Sequence, residues 1–238
     1  MNILVTGASR GIGAAIATTL AGEGRTVAVN YLQNEAAARE VAGAVEARGA
    51  RAVVVQANVR GEEDCKRLAA VFPEGVDVLV HNAAVGALKP YATLRTSHWD
   101  LTMESSLRPF WLLTKLCTLR RGGQVIGISS LGSRGYIPGY AAMGAAKAGM
   151  EALTRQLAVE LAPQGVRVNT VCGGLVRTDA LAYFPEGAAM LEAAERLTPL
   201  GRVGTPQDIA DAVSLLCDPR AAWITGQVIV ADGGLSAV

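Results

Sequence analysis

"TGASRGIG", residues 6–13, follows the apolar run "NILV" (2–5) and leads into "AAIATTLAGEG" (14–24), where apolar residues recur at helical spacing. Gly7, Gly11 and Gly13 let the backbone turn tightly and come close to a pyrophosphate, whose charge suits the amides and dipole at a helix N-terminus. A glycine triplet alone would fit a structural turn. Placed between the first strand and the first helix of an alternating chain, it reads as a dinucleotide cradle.

The alternation continues outward from that stretch. "TVAVNY", "RAVVVQA", "VDVLVH", "GQVIGIS", "VRVNTV" and "QVIVAD" are short, rich in Val and Ile, and bounded by Gly, Asn or Asp, with helical segments such as "EAAAREVAGAVEARGA" between them. Continuous apolar strands separated by helices predict an α/β fold, a doubly wound parallel sheet of the Rossmann type covered on both faces. Thr205, Pro206 and Asp208 mark the start of the last long helix as N-cap, first helical position and capping-box acid. In such a fold a ligand sits beyond the carboxyl ends of the strands, where the connection order reverses.

The chain has 238 residues and a formal net charge of +1, with 22 basic residues scattered rather than clustered. That length buries roughly 70–75% of the unfolded surface in one core, so a single domain over 1–238 is expected. Scattered charge gives no footprint for nucleic acid. No apolar stretch approaches the ~20 residues needed to span a bilayer, and "MNILVTGAS" enters a strand directly, which predicts a cytoplasmic protein without membrane association. Cys65, Cys117, Cys172 and Cys217 have no C-x-x-C spacing and read as reduced and mostly buried. His81 and His98 form no ligand pattern, and no metal is expected.

The second strand ends at Asn30 and Tyr31, where a site specific for NAD would place a carboxylate on the ribose 2′-hydroxyl. Without it a 2′-phosphate is not repelled, and Arg10 in the glycine loop is placed to pair with it, or is a solvated loop charge. NADPH is favoured over NADH.

With "HNAA" (81–84), "ISS" (128–130), a Tyr and a Lys on the next helix and "DGG" (232–234) added to the glycine loop, the chain resembles the short-chain dehydrogenase/reductase superfamily over essentially its whole length. The resemblance implies cofactor contacts at Gly7, Ser9, Arg10, Gly11, Ile12 and Gly13 in the loop and at Asn30 after the second strand. It also implies Asn58 and Val59 beside the adenine, Asn82 and Ala83 beside the ribose, and Lys147, Gly173, Val176 and Thr178 towards the nicotinamide. It further implies a homotetramer or homodimer.

One departure carries the functional expectation. The common members have Y-x-x-x-K, but four residues before Lys147 stands Met143, and the tyrosine is Tyr140 in "YAAMGAAK" (140–147). Seven residues are close to two helical turns, so Tyr140 and Lys147 share a face, with the acid's anchor displaced by ~4.5 Å along the axis. A displaced acid suits a 2-enoyl thioester, in which hydride goes to C3 and charge collects on the thioester oxygen two bonds away. Y-x-x-M-x-x-x-K, with "TDALAYFP" (178–185), resembles the enoyl-acyl-carrier-protein reductases of the third, NADPH-using type. That implies an acyl thioester on acyl-carrier protein as substrate, in fatty-acid synthesis. Lys147 is one of only four lysines among the 22 basic residues, and a compact ammonium suits the ribose hydroxyls better than a planar fork.

Ser130 holds the place of the family's catalytic serine, here expected as an auxiliary donor, with Ser129 as fallback. Ser106 stands where ketone-reducing members have the asparagine of a proton relay. Residues 179–200 suit a lid over an acyl chain or a subunit contact. The alternative activity is reduction of a 3-oxoacyl or polyketide carbonyl, and a third reading, suggested by Ser106, is an NADP(H)-binding protein without turnover.

Overall fold

The structure, a computed structural model, describes residues 1–178 and 187–238. Seven strands, β1 (Asn2–Val5), β2 (Thr26–Tyr31), β3 (Arg51–Gln56), β4 (Val76–His81), β5 (Leu119–Ser130), β6 (Arg167–Gly173) and β7 (Val228–Ala231), form one sheet in the order β3-β2-β1-β4-β5-β6-β7. Every neighbouring pair is parallel. The helices among the described residues are α1 (Gly11–Thr19), α2 (Glu35–Glu46), α3 (Glu62–Ala69), α4 (Thr96–Ser106), α5 (Arg108–Leu116), α6 (Ala141–Leu161), α7 (Gly187–Leu197) and α8 (Pro206–Cys217).

Side-chain alternation along each strand sorts the core into two layers. Ile3, Val5, Val27, Val29, Val78, Val80, Ile126 and Ile128 face α1, α2 and α8, whose Ile16, Leu20, Val45, Ile209 and Val213 close one face of the sheet. Leu4, Ala28, Leu79, Val125 and Val168 face the other way and meet Leu68 of α3, Phe110 and Leu113 of α5 and Met150 of α6. Both faces are covered, which is why the strands read as continuous apolar runs. The doubly wound parallel sheet expected from sequence is the fold observed.

The α8 start follows its local code: Thr205 accepts from the Asp208 amide at 3.3 Å, and Asp208 accepts from the Thr205 amide at 2.7 Å. All four cysteines are free, three of them buried. No helix among the described residues is long and apolar enough to cross a membrane. Of the proposed lid, residues 179–186 lie outside the described residues, and α7 accounts for most of the remainder.

The sheet order reverses between β1 and β4, and there the connections after these strands face each other. The Thr6 hydroxyl accepts from the Asn82 and Ala83 amides, each at 3.1 Å, and the Asn82 side-chain amide donates to the Thr6 and Gly7 carbonyls at 3.0 and 2.9 Å. This seam fixes the floor of the site.

Candidate active site

The glycine loop is built to the closest backbone approach. Gly7 adopts φ +62°, a conformation side chains rarely take, and its amide donates to Asn30 Oδ1 at 3.1 Å. A Cβ at Gly13 would overlap the Gly7 carbonyl oxygen and the Asn82 amide nitrogen, so only glycine lets α1 begin there. Among the described residues only Thr178 comes near a Cβ placed on Gly11 (φ +55°), its methyl at 3.7 Å. The loop thus presents a backbone concavity at the N-terminus of α1, and the residues present fit a pyrophosphate.

Around that cradle the expected cofactor residues take different parts. Ser9 and Ile12 are half-buried on the loop and first turn, and Arg10 is the exposed N-cap of α1. Asn30 is buried; its amide nitrogen reaches the Val55 and Ala57 carbonyls at 3.2 and 3.1 Å while its oxygen holds Gly7. Its side chain braces the loop from below. Asn58 is oriented by its own amide donating to Asp64 at 2.6 Å, a carboxylate held below its usual range first by the Arg67 bond and then by this amide. Val59 is buried beside it, and its carbonyl accepts from the Cys65 thiol at 3.2 Å. On the far side Gly173 ends β6 beside Ser130 and Ala231, and Val176 bridges to Gly204.

Two candidate catalytic residues meet at the C-terminal end of β5. Tyr140 is the N-cap of α6 rather than a residue of its first turn, with φ −99° and ψ 8°, and its carbonyl accepts the first helical bond from Gly144 at 2.6 Å. Gly139, at φ +70°, turns the chain into this position. The result is a Tyr140 hydroxyl 3.0 Å from Ser130 Oγ. Ser130, expected from sequence as an auxiliary donor, stands beside Tyr140. Burial raises the Tyr140 phenol above its usual value, partly offset by the bond to Ser130, so it is protonated at neutral pH.

Met143 is buried with its methyl over Gly86, where a side chain would collide with it. Ser106 is buried and donates to the Val85 carbonyl at 3.1 Å, so its hydroxyl is committed to the loop after β4. His81 is buried, shares a hydrogen bond with Thr114 at 3.1 Å and meets Phe110 edge-on at 5.0 Å; burial lowers its pKa to about 3, leaving it neutral. Among the described residues no group of His, Cys, Asp and Glu could hold a metal.

Lys147, two turns along α6, is buried and donates to the Ile128 carbonyl at 2.6 Å. Burial lowers its pKa from 10.5 to about 8. Below about pH 8 both folded and unfolded chains carry the charge, and its burial costs on the order of 3 kcal/mol. Between about 8 and 10.5 the unfolded chain holds a proton the folded one has released, so this group's contribution to stability rises with pH. Cofactor-free Lys147→Met is therefore expected to exceed wild type in urea midpoint near pH 7 and to lose that advantage towards about pH 10. A gap independent of pH would contradict the assignment.

Sequence reasoning missed Glu151. It is buried one turn beyond Lys147 and accepts hydrogen bonds from Ser129 Oγ at 2.7 Å, Ser133 Oγ at 2.6 Å and Arg134 Nε at 3.3 Å. Its i+4 spacing from Lys147 was the available signal.

A family model described as Enoyl-(Acyl carrier protein) reductase matches residues 7–236. The 1-cyclohexenylcarbonyl-CoA reductase of Streptomyces collinus is 40% identical over 99% of this chain and 86% of its own. The 3-oxoacyl-[acyl-carrier-protein] reductase of Synechocystis sp. is 37% identical over 98% of this chain and 95% of its own. The solved structure of the angucycline C-6 ketoreductase LanV with bound NADP superposes with a TM-score of 0.92 at 32% identity, covering 100% of this chain and 96% of that one. Fold, glycine loop, Ser130–Tyr140 pair and whole-length similarity agree, and the chain belongs to this family and with it to the short-chain dehydrogenase/reductase superfamily of oxidoreductases.

Proposed function

We propose that the chain uses NADPH to reduce an acyl thioester at C3 of the acyl chain. The observation that carries this is the 3.0 Å contact between Ser130 Oγ and Tyr140 OH, two hydroxyls converging where one substrate oxygen can take a hydrogen bond from each. NADPH, when bound, supplies the hydride. Ser130 and Tyr140 hold the oxygen that gains charge, Tyr140 carries a proton to give, and Lys147 holds the ribose side of the site from beneath. The cofactor assignment is supported by the backbone concavity at Gly11, the exposed Arg10 and the NADP bound in LanV. Catalytic roles for Tyr140, Lys147 and Ser130, and cofactor contacts from the loop residues, Asn58, Val59, Asn82, Ala83, Gly173, Val176 and Thr178, belong to this proposal.

Two substrates receive hydride at C3, and they differ in where the proton goes. In a 3-oxoacyl thioester the C3 oxygen accepts the proton and becomes a hydroxyl. The relatives back this carbonyl reading better: one is named for 3-oxoacyl reduction and LanV for keto reduction, and a Ser–Tyr pair on a single oxygen is what a ketone needs. In a 2-enoyl thioester the C2=C3 bond is reduced, charge passes to the thioester oxygen and C2 takes the proton. The tyrosine displaced to the N-cap of α6 favours this second reading, as does the 40% identical relative, whose name specifies a ring alkene conjugated to a thioester. The acyl-carrier protein as carrier, a place in fatty-acid synthesis, a cytoplasmic location and a homotetramer or homodimer extend the same proposal.

NADPH oxidation with acetoacetyl and crotonyl thioesters, side by side, decides between them. Turnover of acetoacetyl thioester alone establishes the carbonyl reading, and turnover of crotonyl thioester alone the conjugate one. NADPH binding with neither turned over would overturn both and leave a cofactor-binding protein.

A further inference from the structure

We propose that Glu151 is a positioning residue, whose buried carboxylate clamps the turn after β5 and through it fixes the Tyr140 phenol beside Ser130. The proposal rests on the reading of Tyr140 as proton donor given above.

A carboxylate that is only 7% exposed is costly unless its oxygens are satisfied. Here they are satisfied from two separate elements. Oε1 accepts from Ser129 at the end of β5 and from Ser133 in the single 3-10 turn of residues 131–133, while Oε2 accepts from the half-exposed Arg134 just beyond that turn. Glu151 itself is on α6, so one group ties strand end, turn and helix together. An apolar residue of the same size would leave the two serine hydroxyls without this acceptor.

The turn it holds touches the Ser130 hydroxyl and the Tyr140 ring. The Gly132 amide donates to Ser130 Oγ at 3.3 Å, and a side chain at Gly132 would overlap the Tyr140 ring. The Gly132 carbonyl lies against α6, 2.6 Å from where a Cβ on Gly144 would stand. The turn is thus wedged between the tyrosine ring and the first turn of α6. Tyr140 stands at the N-cap, ahead of the first turn of α6, and Gly132 of the wedged turn packs against its ring.

The test uses the NADPH-bound protein with Glu151→Ala, Glu151→Gln and Ser133→Ala. Amide hydrogen exchange is expected to rise in 131–140 for Glu151→Ala, and less for Ser133→Ala, with exchange in the sheet unchanged. With whichever thioester wild type reduces, Glu151→Ala is expected to lose about 10²-fold in kcat, the scale of a small misplacement of a reacting group, at unchanged NADPH Kd. Glu151→Gln, which keeps an acceptor for both serines, is expected to restore kcat to within about fivefold of wild type. Unchanged exchange in 131–140 would overturn the clamp, as would a glutamine variant as impaired as alanine, or NADPH affinity falling in step with kcat. Should Glu151→Ala fail to fold, Ser133→Ala decides by the same exchange criterion. Should wild type reduce neither thioester, the failure belongs to the proposed function, and exchange still judges the clamp.

Discussion

Tyr140→Phe is expected to lower kcat by about 10²–10⁴-fold while leaving NADPH Kd unchanged, the scale for removing a positioned general acid. The ring stays, with its packing on Gly132; only the oxygen that meets Ser130 at 3.0 Å is removed. The loss is thus one of chemistry rather than of architecture, and an unaltered Tm would accompany it. Adding Met143→Tyr, which restores the common one-turn spacing to Lys147, is expected not to rescue turnover. The side chain at 143 is buried and directed over Gly86, so a rigid ring there must displace the loop after β4. Single-turnover rates of the two variants beside wild type check both statements. Full activity in Tyr140→Phe would remove Tyr140 from the mechanism, and rescue by Met143→Tyr would show that the acid need not have moved.

The second large effect is expected at Gly13. Its Cβ in Gly13→Ala would meet the Gly7 carbonyl oxygen and the Asn82 side-chain amide, both already fixed by hydrogen bonds across the seam. Neither neighbour is the free end of a flexible side chain, so the loop must shift. Overpacking of this kind costs about 1–3 kcal/mol, which in a chain of this size lowers Tm by roughly 2–12 °C. NADPH affinity should fall with it, since the displaced carbonyl belongs to the cradle. Gly43→Ala is the matched control. Gly43 lies within α2, nothing among the described residues stands within 4 Å of its would-be Cβ, and the change is expected to stabilise by about 0.5–1 kcal/mol. Differential scanning calorimetry of the two variants with and without NADPH reads the outcome; equal shifts would mean that close approach at Gly13 is not what the loop requires.

These effects also show which features a sequence displays. The strands were legible because residues such as Ile3, Leu4 and Val5 are apolar on both faces, and the α8 start because Thr205, Pro206 and Asp208 act on one another within four residues. The backbone form of the glycine loop was legible for the same local reason. What escaped reading depends on groups that meet only after folding. Asn30, at the strand end where a site specific for NAD would place a carboxylate, turns its side chain into the β2–β3 pair and under Gly7. Glu151 reads as one more acid on a long helix, because Ser129 and Ser133 reach it from 22 and 18 residues away. Counting puts Tyr140 on the helix face of Lys147, and the adjacent Pro138 and Gly139 already signal an irregular start; the helix begins at Ala141, and a phenol at an N-cap is aimed by its neighbours. Where helices α4 and α5 meet, Leu107 at φ −111° and Pro109 divide what spacing alone would run together.

The Thr6–Asn82 seam can also be viewed as a joint in a frame. The nucleotide half of the sheet and the half bearing Ser130 and Tyr140 are joined through β1 and β4, and the cross-links at Thr6, Gly7, Asn82 and Ala83 stand just past the last ladder bonds, like rivets at the end of a weld. Shear between the two halves would have to break these bonds together, because one hydroxyl and one amide serve most of them. The span between the glycine loop and the Ser130–Tyr140 pair is therefore set by the frame itself, through β1 and β4.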